Sequence, residues 1–362
     1  MALSEPTREL ERSARAEELV EALLEGDRRA LARTLTHVEN GTETGQAALS
    51  LLFPRAGNAH LVGVTGSPGT GKSTLVNHLT LHYRQRREGY RPKRVAVVAV
   101  DPSSPFSGGA VLGDRVRMRD LSGDPDVFIR SMANRGALGG LARSTAAVVQ
   151  VLDAAGYELI FIETVGAGQS EVDVARLAHT TLVVEAPGLG DDIQAIKAGI
   201  LEIADVLVIN KADRPGVENT ERALHSMLEL ARPSMNLFRD PHCAEPEGTP
   251  AIAMLEGEPA RGWKPPILRT VAIFKTGVEA VAVAIDEHRA YLRETGEWKR
   301  RERARIRAEV DALLQAMLVS RWRETVAPER LERVLARLMD REISPNQAVE
   351  LLLSDDMRGI GR

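Results

Sequence analysis

The strongest constraint on this chain is a succession of short, almost wholly apolar runs, most of them closed by a polar residue and separated by stretches of helical periodicity. The runs are His60–Thr65, Val95–Val100 ending at Asp101, Leu159–Ile162 ending at Glu163, Thr181–Val184, and Val206–Ile209 ending at Asn210. Ile267–Ala272 reads as a sixth. Helical spacing fills 144–154, 193–203 and 218–230 between them. Strands without polar alternation are buried on both faces, and helices between such strands imply a parallel sheet covered on each side. The expected class is therefore α/β with a mostly parallel sheet. Ligands of such sheets sit beyond the carboxyl ends of the strands, where the polar residues just named lie.

The flanks read differently. Residues 8–40 carry a helical apolar stripe broken at Gly26-Asp27, and from Val278 onward the pattern is helical without further strands. This divides the chain into an N-terminal helical extension (1–57), a sheet domain (58–280) and a C-terminal helical region (281–362). The basic stretch Lys299–Arg307 reads as a solvated helix face, with a nucleic-acid or membrane patch as the alternative.

Composition excludes several classes. With 47 basic and 51 acidic residues the net charge is −4, which argues against nucleic acid as a partner. The single cysteine, Cys243, excludes an intrachain disulfide framework and any CxxC metal site, in keeping with a reducing cytoplasm. Met1–Glu21 is charged throughout and is no signal peptide, and no apolar run approaches the ~20 residues of a membrane span. Only seven of the basic residues are Lys, so a Lys in this chain marks a place where Arg may not serve.

The first apolar run leads into Gly66-Ser67-Pro68-Gly69-Thr70-Gly71-Lys72-Ser73, followed by Thr74 and a helical segment. This is a G-x-x-x-x-G-K-[ST] phosphate loop in its required strand–loop–helix setting. The glycines let several backbone N–H groups converge on phosphate oxygens at a helix N-terminus. Lys72 can reach the β- and γ-phosphates, and the Ser73 hydroxyl can ligate Mg²⁺.

Asn210-Lys211-Ala212-Asp213 follows the fifth run. The Asp213 carboxylate can accept from guanine N1–H and the 2-amino group, whereas adenine would present a lone pair at N1. The Lys211 stem can lie along the base plane and Asn210 can brace the phosphate-loop side. The order of these motifs points to GTP and GDP as substrate and product.

Asp101 and Glu163 stand at strand ends where a carboxylate can hold Mg²⁺ directly or through water; an exposed strand-end acid is the alternative. Gly166 is placed to let its N–H approach the γ-phosphate. Ala167 follows it and cannot orient a water, so slow intrinsic hydrolysis is expected until a partner or a conformational change completes the site. Two stretches have the composition of mobile loops. One runs from Asp101 to Gly109 and leads to Asp114 and Arg117. Asp114 can reach the metal region or be a surface acid or helix cap, and Arg117 can reach phosphate. The other, Pro187–Asp192, leads to Lys197, which can pair with Glu163, Asp191 or Asp192 in one state and release it in another, or be an exposed helical lysine. The histidines show no metal-ligand spacing, and His242-Cys243 reads as structural.

These motifs, with Val100–Gly109, Gly113–Met118, Ile129–Ala133, Arg135–Leu141, Glu163–Glu171 and Pro187–Gly199, resemble in collinear order the MeaB/ArgK family of P-loop GTPases. The family chaperones adenosylcobalamin-dependent acyl-CoA mutases. The resemblance implies a homodimer formed through the C-terminal arm, and a GTP cycle that gates cofactor loading and protects or reactivates the mutase. The adenosylcobalamin belongs to the client, and an adenosyltransferase is a further possible partner. By position, Ser73, Asp101, Asp114 and Glu163 become the Mg²⁺ neighbourhood. Arg117 becomes a nucleotide contact, and 186–197 a partner-sensing switch that includes Lys197. Lys72, Asp101, Asp114, Glu163 and Lys197 are the candidate catalytic set. Thr270-Val271-Ala272 departs from the Thr-Ser-Ala of many relatives, though a backbone N–H at Val271 or Ala272 can still read guanine O6. A metal-insertion GTPase is a competing expectation that would need a Cys- or His-rich loading segment. A kinase or transport ATPase is another, disfavoured by Asn210–Asp213.

Overall fold

A computed structural model describes residues 5–101, 118–121, 123–133, 140–164, 170–188, 203–230 and 262–353. Three helices come first: α1 (Glu5–Leu24), α2 (Arg28–Glu39) and α3 (Glu43–Leu52). The break at Gly26-Asp27 is a glycine at φ 96° followed by Asp27, whose carboxylate caps α2 by accepting from the Arg29 N–H.

The sheet follows, with β1 (His60–Thr65), α4 (Lys72–Arg84), β2 (Val95–Asp101), β3 (Val127–Ala133), α5 (Gly140–Ala154) and β4 (Leu159–Thr164). It continues through α6 (Ser170–Leu177), β5 (Thr180–Glu185), β6 (Val206–Ile209), α7 (Val217–Leu230) and β7 (Ile267–Arg269). The described strands form one parallel sheet in the order β3-β2-β4-β1-β5-β6-β7. The class is α/β, as the apolar runs imply. The phosphate loop leaves β1 at the centre of this sheet.

The sequence reading of six strands is corrected at both edges. Val127–Ala133 is a seventh strand, at the edge beyond β2. Arg130 and Ser131 interrupt its apolar run because an edge strand has one neighbour and is only partly covered. At the other edge β7 stops at Arg269, and Ala272–Phe274 turns as a 3-10 helix.

Each sheet face has its own core, and β2 serves both by simple alternation. Ala96, Val98 and Val100 join α1–α3 and α5 on one face. Val95 and Val97 join α4 and Val278–Ile285 on the other. The second layer is tied by the Tyr83 hydroxyl, which donates to the Ala282 carbonyl at 3.0 Å.

The C-terminal helices are α8 (Val278–Glu294), α9 (Glu297–Thr325), α10 (Pro328–Met339) and α11 (Pro345–Leu353). Two compact units divide the chain, Met1–Arg305 and Ile306–Arg362. In the second, Trp322, Val326, Val334, Ala348 and Leu352 form a small core. Along α9, Val310, Leu314, Met317 and Leu318 are exposed apolar side chains. Among the described residues no helix is long and apolar enough to cross a membrane. The basic stretch after Lys299 is not simply a solvated face: Arg301 forks onto Asp205, and Arg305 pairs with Glu302.

Candidate nucleotide-binding site

The phosphate loop owes its shape to close backbone approaches. Gly66 has φ 128°, and a Cβ there would stand 2.0 Å from the Val184 carbonyl oxygen at the end of β5. Gly71 has φ 95°, and a Cβ there would meet Asn210 Nδ2 at 2.4 Å. Both positions exclude any side chain. α4 begins at Lys72 with no side-chain cap, so its first-turn N–H groups remain available to an anion.

Lys72 is buried, and its ammonium donates to the carbonyls of Gly66 at 2.8 Å and Ser67 at 2.9 Å. An ammonium has three donors, so one is left for phosphate. Burial depresses the Lys72 pKa, and the carboxylates of Glu163, Glu185 and Glu171 oppose that shift. Ser67 is half-buried, Pro68 and Gly69 are exposed, Thr70 is buried and Thr74 is half-buried.

Ser73 Oγ donates to Glu163 Oε1 at 2.5 Å, and Glu163 is buried at the end of β4. Two hard oxygens thus stand together beside the loop, a donor set that suits Mg²⁺. Asp101 closes β2, where its backbone pairs in register with Ala133. Its side chain, and the whole of Asp114, Arg117, Gly166 and Lys197, lie outside the described residues. So do the helical expectation for most of 193–203 and the His242-Cys243 pair.

The base-reading loop is bolted to the phosphate loop. Asn210 Nδ2 donates to the Thr70 carbonyl at 2.8 Å. Its Oδ1 accepts from Thr270 Oγ1 at 3.1 Å and from the Ala272 N–H at 3.0 Å. Lys211, at φ 57°, sends its ammonium to the Gly69 carbonyl at 2.6 Å, so its stem runs between the two loops. Asp213 is exposed beside them, free to meet a base edge. The Val271 N–H is bonded to the Thr276 carbonyl at 3.0 Å and that of Ala272 to Asn210, so reading guanine O6 from either requires a local rearrangement.

Two acids of the site escape sequence reasoning. Glu185 ends β5, and Glu171 lies in the first turn of α6; both are buried near Lys72. The strand reading stopped at Val184, one residue short of Glu185. The rule that singled out Asp101 and Glu163, an acid closing an apolar strand, would have found it. Burial raises the Glu185 carboxyl to about 7, against the pull of hydrogen-bond donors on Ser67 and of the Lys72 charge.

The arrangement sets the phosphate loop after β1 against the Asn210–Asp213 loop after β6 and the turn after β7. Residues 31–327 match the sequence family described as methylmalonyl-CoA mutase-associated GTPase MeaB. A putative GTPase of Pyrococcus abyssi is 41% identical over 343 residues, covering 95% of this chain and 97% of that protein. GTPase ArgK of Escherichia coli is 36% identical over 283 residues, 77% of each chain. A crystal structure described as a LAO/AO transport system kinase superposes with a TM-score of 0.65 at 26% identity, covering 99% of this chain and 100% of the other. The site geometry and these likenesses agree: the chain belongs to the MeaB family and is a P-loop GTPase.

Proposed function

We propose that this GTPase is a cytoplasmic chaperone of an adenosylcobalamin-dependent acyl-CoA mutase, gating cofactor loading and protecting or reactivating the mutase. The observation that carries the reading is the extent of the family match. It runs from within α2 to the end of α9, and so includes helices outside the nucleotide site. The family's own description ties it to methylmalonyl-CoA mutase. The client supplies the cobalamin, and the class of mutase is left to experiment.

In this reading water attacks the γ-phosphate, and this chain contributes position and charge. Lys72 neutralises developing charge, and the N–H groups of the loop and of the first turn of α4 orient the phosphates. Ser73 and Glu163, with Asp101 and Asp114, would hold Mg²⁺, which would supply neutralisation of phosphate charge. Arg117 and the Gly166 N–H add phosphate contacts. Asp213 reads the base, with Asn210 and Lys211 holding the loop. Ala167 leaves the water unguided, so hydrolysis is slow until the mutase engages 186–197 and Lys197. The exposed apolar side chains along α9 support a homodimer through this arm.

The test is GTP turnover by the full chain with and without purified methylmalonyl-CoA mutase. The expected result is stimulation that Lys197→Ala abolishes, with nucleotide affinity retained. Absence of stimulation or co-purification with methylmalonyl-, isobutyryl-, ethylmalonyl- and hydroxyisobutyryl-CoA mutases would overturn the chaperone reading. Light scattering reports the dimer, and Leu314→Glu with Leu318→Glu is expected to leave a monomer.

A further inference from the structure

β4 meets the phosphate loop on both faces of the sheet. Side chains alternate along a strand, so Leu159 and Phe161 enter the core shared with α4, and Ile160 and Ile162 the core shared with α5 and α6. The alternation carries on to the end of the strand. Glu163 takes the α4 side, where it accepts from Ser73 Oγ at 2.5 Å. Thr164 takes the opposite side, where its hydroxyl donates to Thr65 Oγ1 at 3.2 Å. Ser73 closes the phosphate loop, and Thr65 immediately precedes its first glycine. Two consecutive residues of β4 thus hold the exit and the root of one loop.

Neither hydroxyl is needed to fill space. Thr65 and Thr164 are fully buried at the ends of strands whose interiors are apolar. Valine has the same shape there and carries no desolvation cost. The two strands run in parallel register, with His60 beside Leu159 and Val64 beside Glu163, so the next pair along is Thr65 with Thr164. The polar pair therefore stands where the sheet gives way to the site. One step further, the chain of β1 becomes the phosphate loop; one step back on β4 is the acid that meets Ser73.

We propose that Thr65 and Thr164 are positioning residues for GTP hydrolysis, their hydroxyl pair fixing the spacing between the phosphate loop and the end of β4. The pair acts on turnover more than on occupancy. The phosphate loop alone cradles a diphosphate, whereas the γ-phosphate lies between Lys72 and the end of β4. Groups that act on a reacting phosphate must be placed closely, and a small displacement is felt in rate before it is felt in binding. The proposal rests on reading the end of β4 as the γ-phosphate side of the site, and it is independent of the client.

The test separates positioning from packing with three full-length variants: Thr164→Val, Thr164→Ser, and Thr65→Val combined with Thr164→Val. The readouts are single-turnover GTP hydrolysis, GDP affinity and the thermal midpoint. Thr164→Val is expected to slow turnover roughly 5- to 10-fold, the scale of one hydrogen bond, with GDP affinity held within about 2-fold. It is also expected to lower the midpoint, because the Thr65 hydroxyl is left buried without its partner. Thr164→Ser keeps the hydroxyl and is expected to restore turnover. The double variant removes both polar groups, so its midpoint is expected to recover while its turnover stays as slow as that of Thr164→Val. Turnover that recovers with the midpoint in the double variant would overturn the proposal, as would wild-type turnover in Thr164→Val. Glu163→Gln is measured alongside and is expected to lower turnover. If it does so while the threonine variants do not, only the proposal fails; if it does not, the reading of the end of β4 fails and the proposal with it.

Discussion

Arg301, in the second turn of α9, places both terminal nitrogens on the Asp205 carboxylate at 2.9 Å, at the opposite end of the sheet from the phosphate loop. The same carboxylate accepts from the Thr181 N–H at 2.8 Å and lies 3.2 Å from His288 Nε2. Burial alone would push the Asp205 carboxyl up, but Arg301 and His288 hold it well below the usual carboxylate range. Around this fork His60 meets Thr180, Thr180 meets His288, and Trp298 stacks on His179 at 3.8 Å.

Removing the fork is expected to be costly. Arg301→Ala leaves the Asp205 charge buried with fewer partners, which costs about 3–5 kcal/mol for pairs of this kind. The retained Thr181 and His288 contacts put the expected loss near the lower end. Urea unfolding checks this. A midpoint within error of wild type would mean the fork is replaced by water.

Acid should destabilise the protein from the onset of histidine titration. Burial lowers the pKa of both His60 and His179. His179 Nδ1 accepts from the Leu61 N–H at 3.1 Å, so the proton sits on Nε2, which donates to Glu302. These rings are neutral in the folded protein and must be protonated to match the unfolded chain below its histidine pKa of about 6.5. Glu302, drawn down to about 2 by His179 and Arg305 against its burial, adds to the loss below its ordinary range. Glu185 works the other way as pH falls from about 7, and Asp173, raised by burial, does so at lower pH, but burial lowers His78 and His82 as it lowers the other two histidines. The thermal midpoint is therefore expected to fall from about pH 6.5 to 5. His179→Gln is expected to flatten that slope, and an unchanged slope would remove His179 from the account.

Lys72→Arg tests whether the loop needs an ammonium. A guanidinium is wider and planar, and cannot take the place that two carbonyls at 2.8 and 2.9 Å define. GTP turnover is expected to drop by about 10²–10³, the scale for losing one preorganised charge donor. Retained turnover would show that charge alone suffices.

Asp213→Asn is expected to exchange guanine for xanthine. Xanthine carries a carbonyl where guanine has its 2-amino group, and asparagine offers an N–H₂ in place of an acceptor. A hydrogen bond to a charged group is worth about 1.5–3 kcal/mol, so GTP affinity should fall by roughly 10- to 100-fold while XTP gains. Competition binding with the two nucleotides reads this out. A variant that still prefers GTP would mean the base is held elsewhere.

The nucleotide loops were legible because each is a contiguous motif whose chemistry requires its residue types. Lys72, Ser73 and Asn210–Asp213 are of this sort, and the strands behind them are unbroken apolar runs. The fork at the other end was not. His60, His179, Asp205, His288 and Arg301 come from five separate places, and none has a local pattern that distinguishes it from a surface residue. Arg301 reads as solvated because its neighbours Arg300 and Arg303 are basic, whereas only the tertiary fold brings Asp205 to it. Edge strand β3 was hidden by Arg130, whose partner Glu39 lies on α2.

Asn210 holds the Thr70 carbonyl with its amide nitrogen and Thr270 and Ala272 with its amide oxygen. One planar group therefore ties the phosphate loop to the turn after β7. A base that displaces this amide also slackens the loop around the phosphates, so the free energies of recognising the two ends do not simply add. A purine of the wrong kind is then penalised at the reacting bond as well as at the edge where it is read, and discrimination becomes a property of turnover as much as of occupancy.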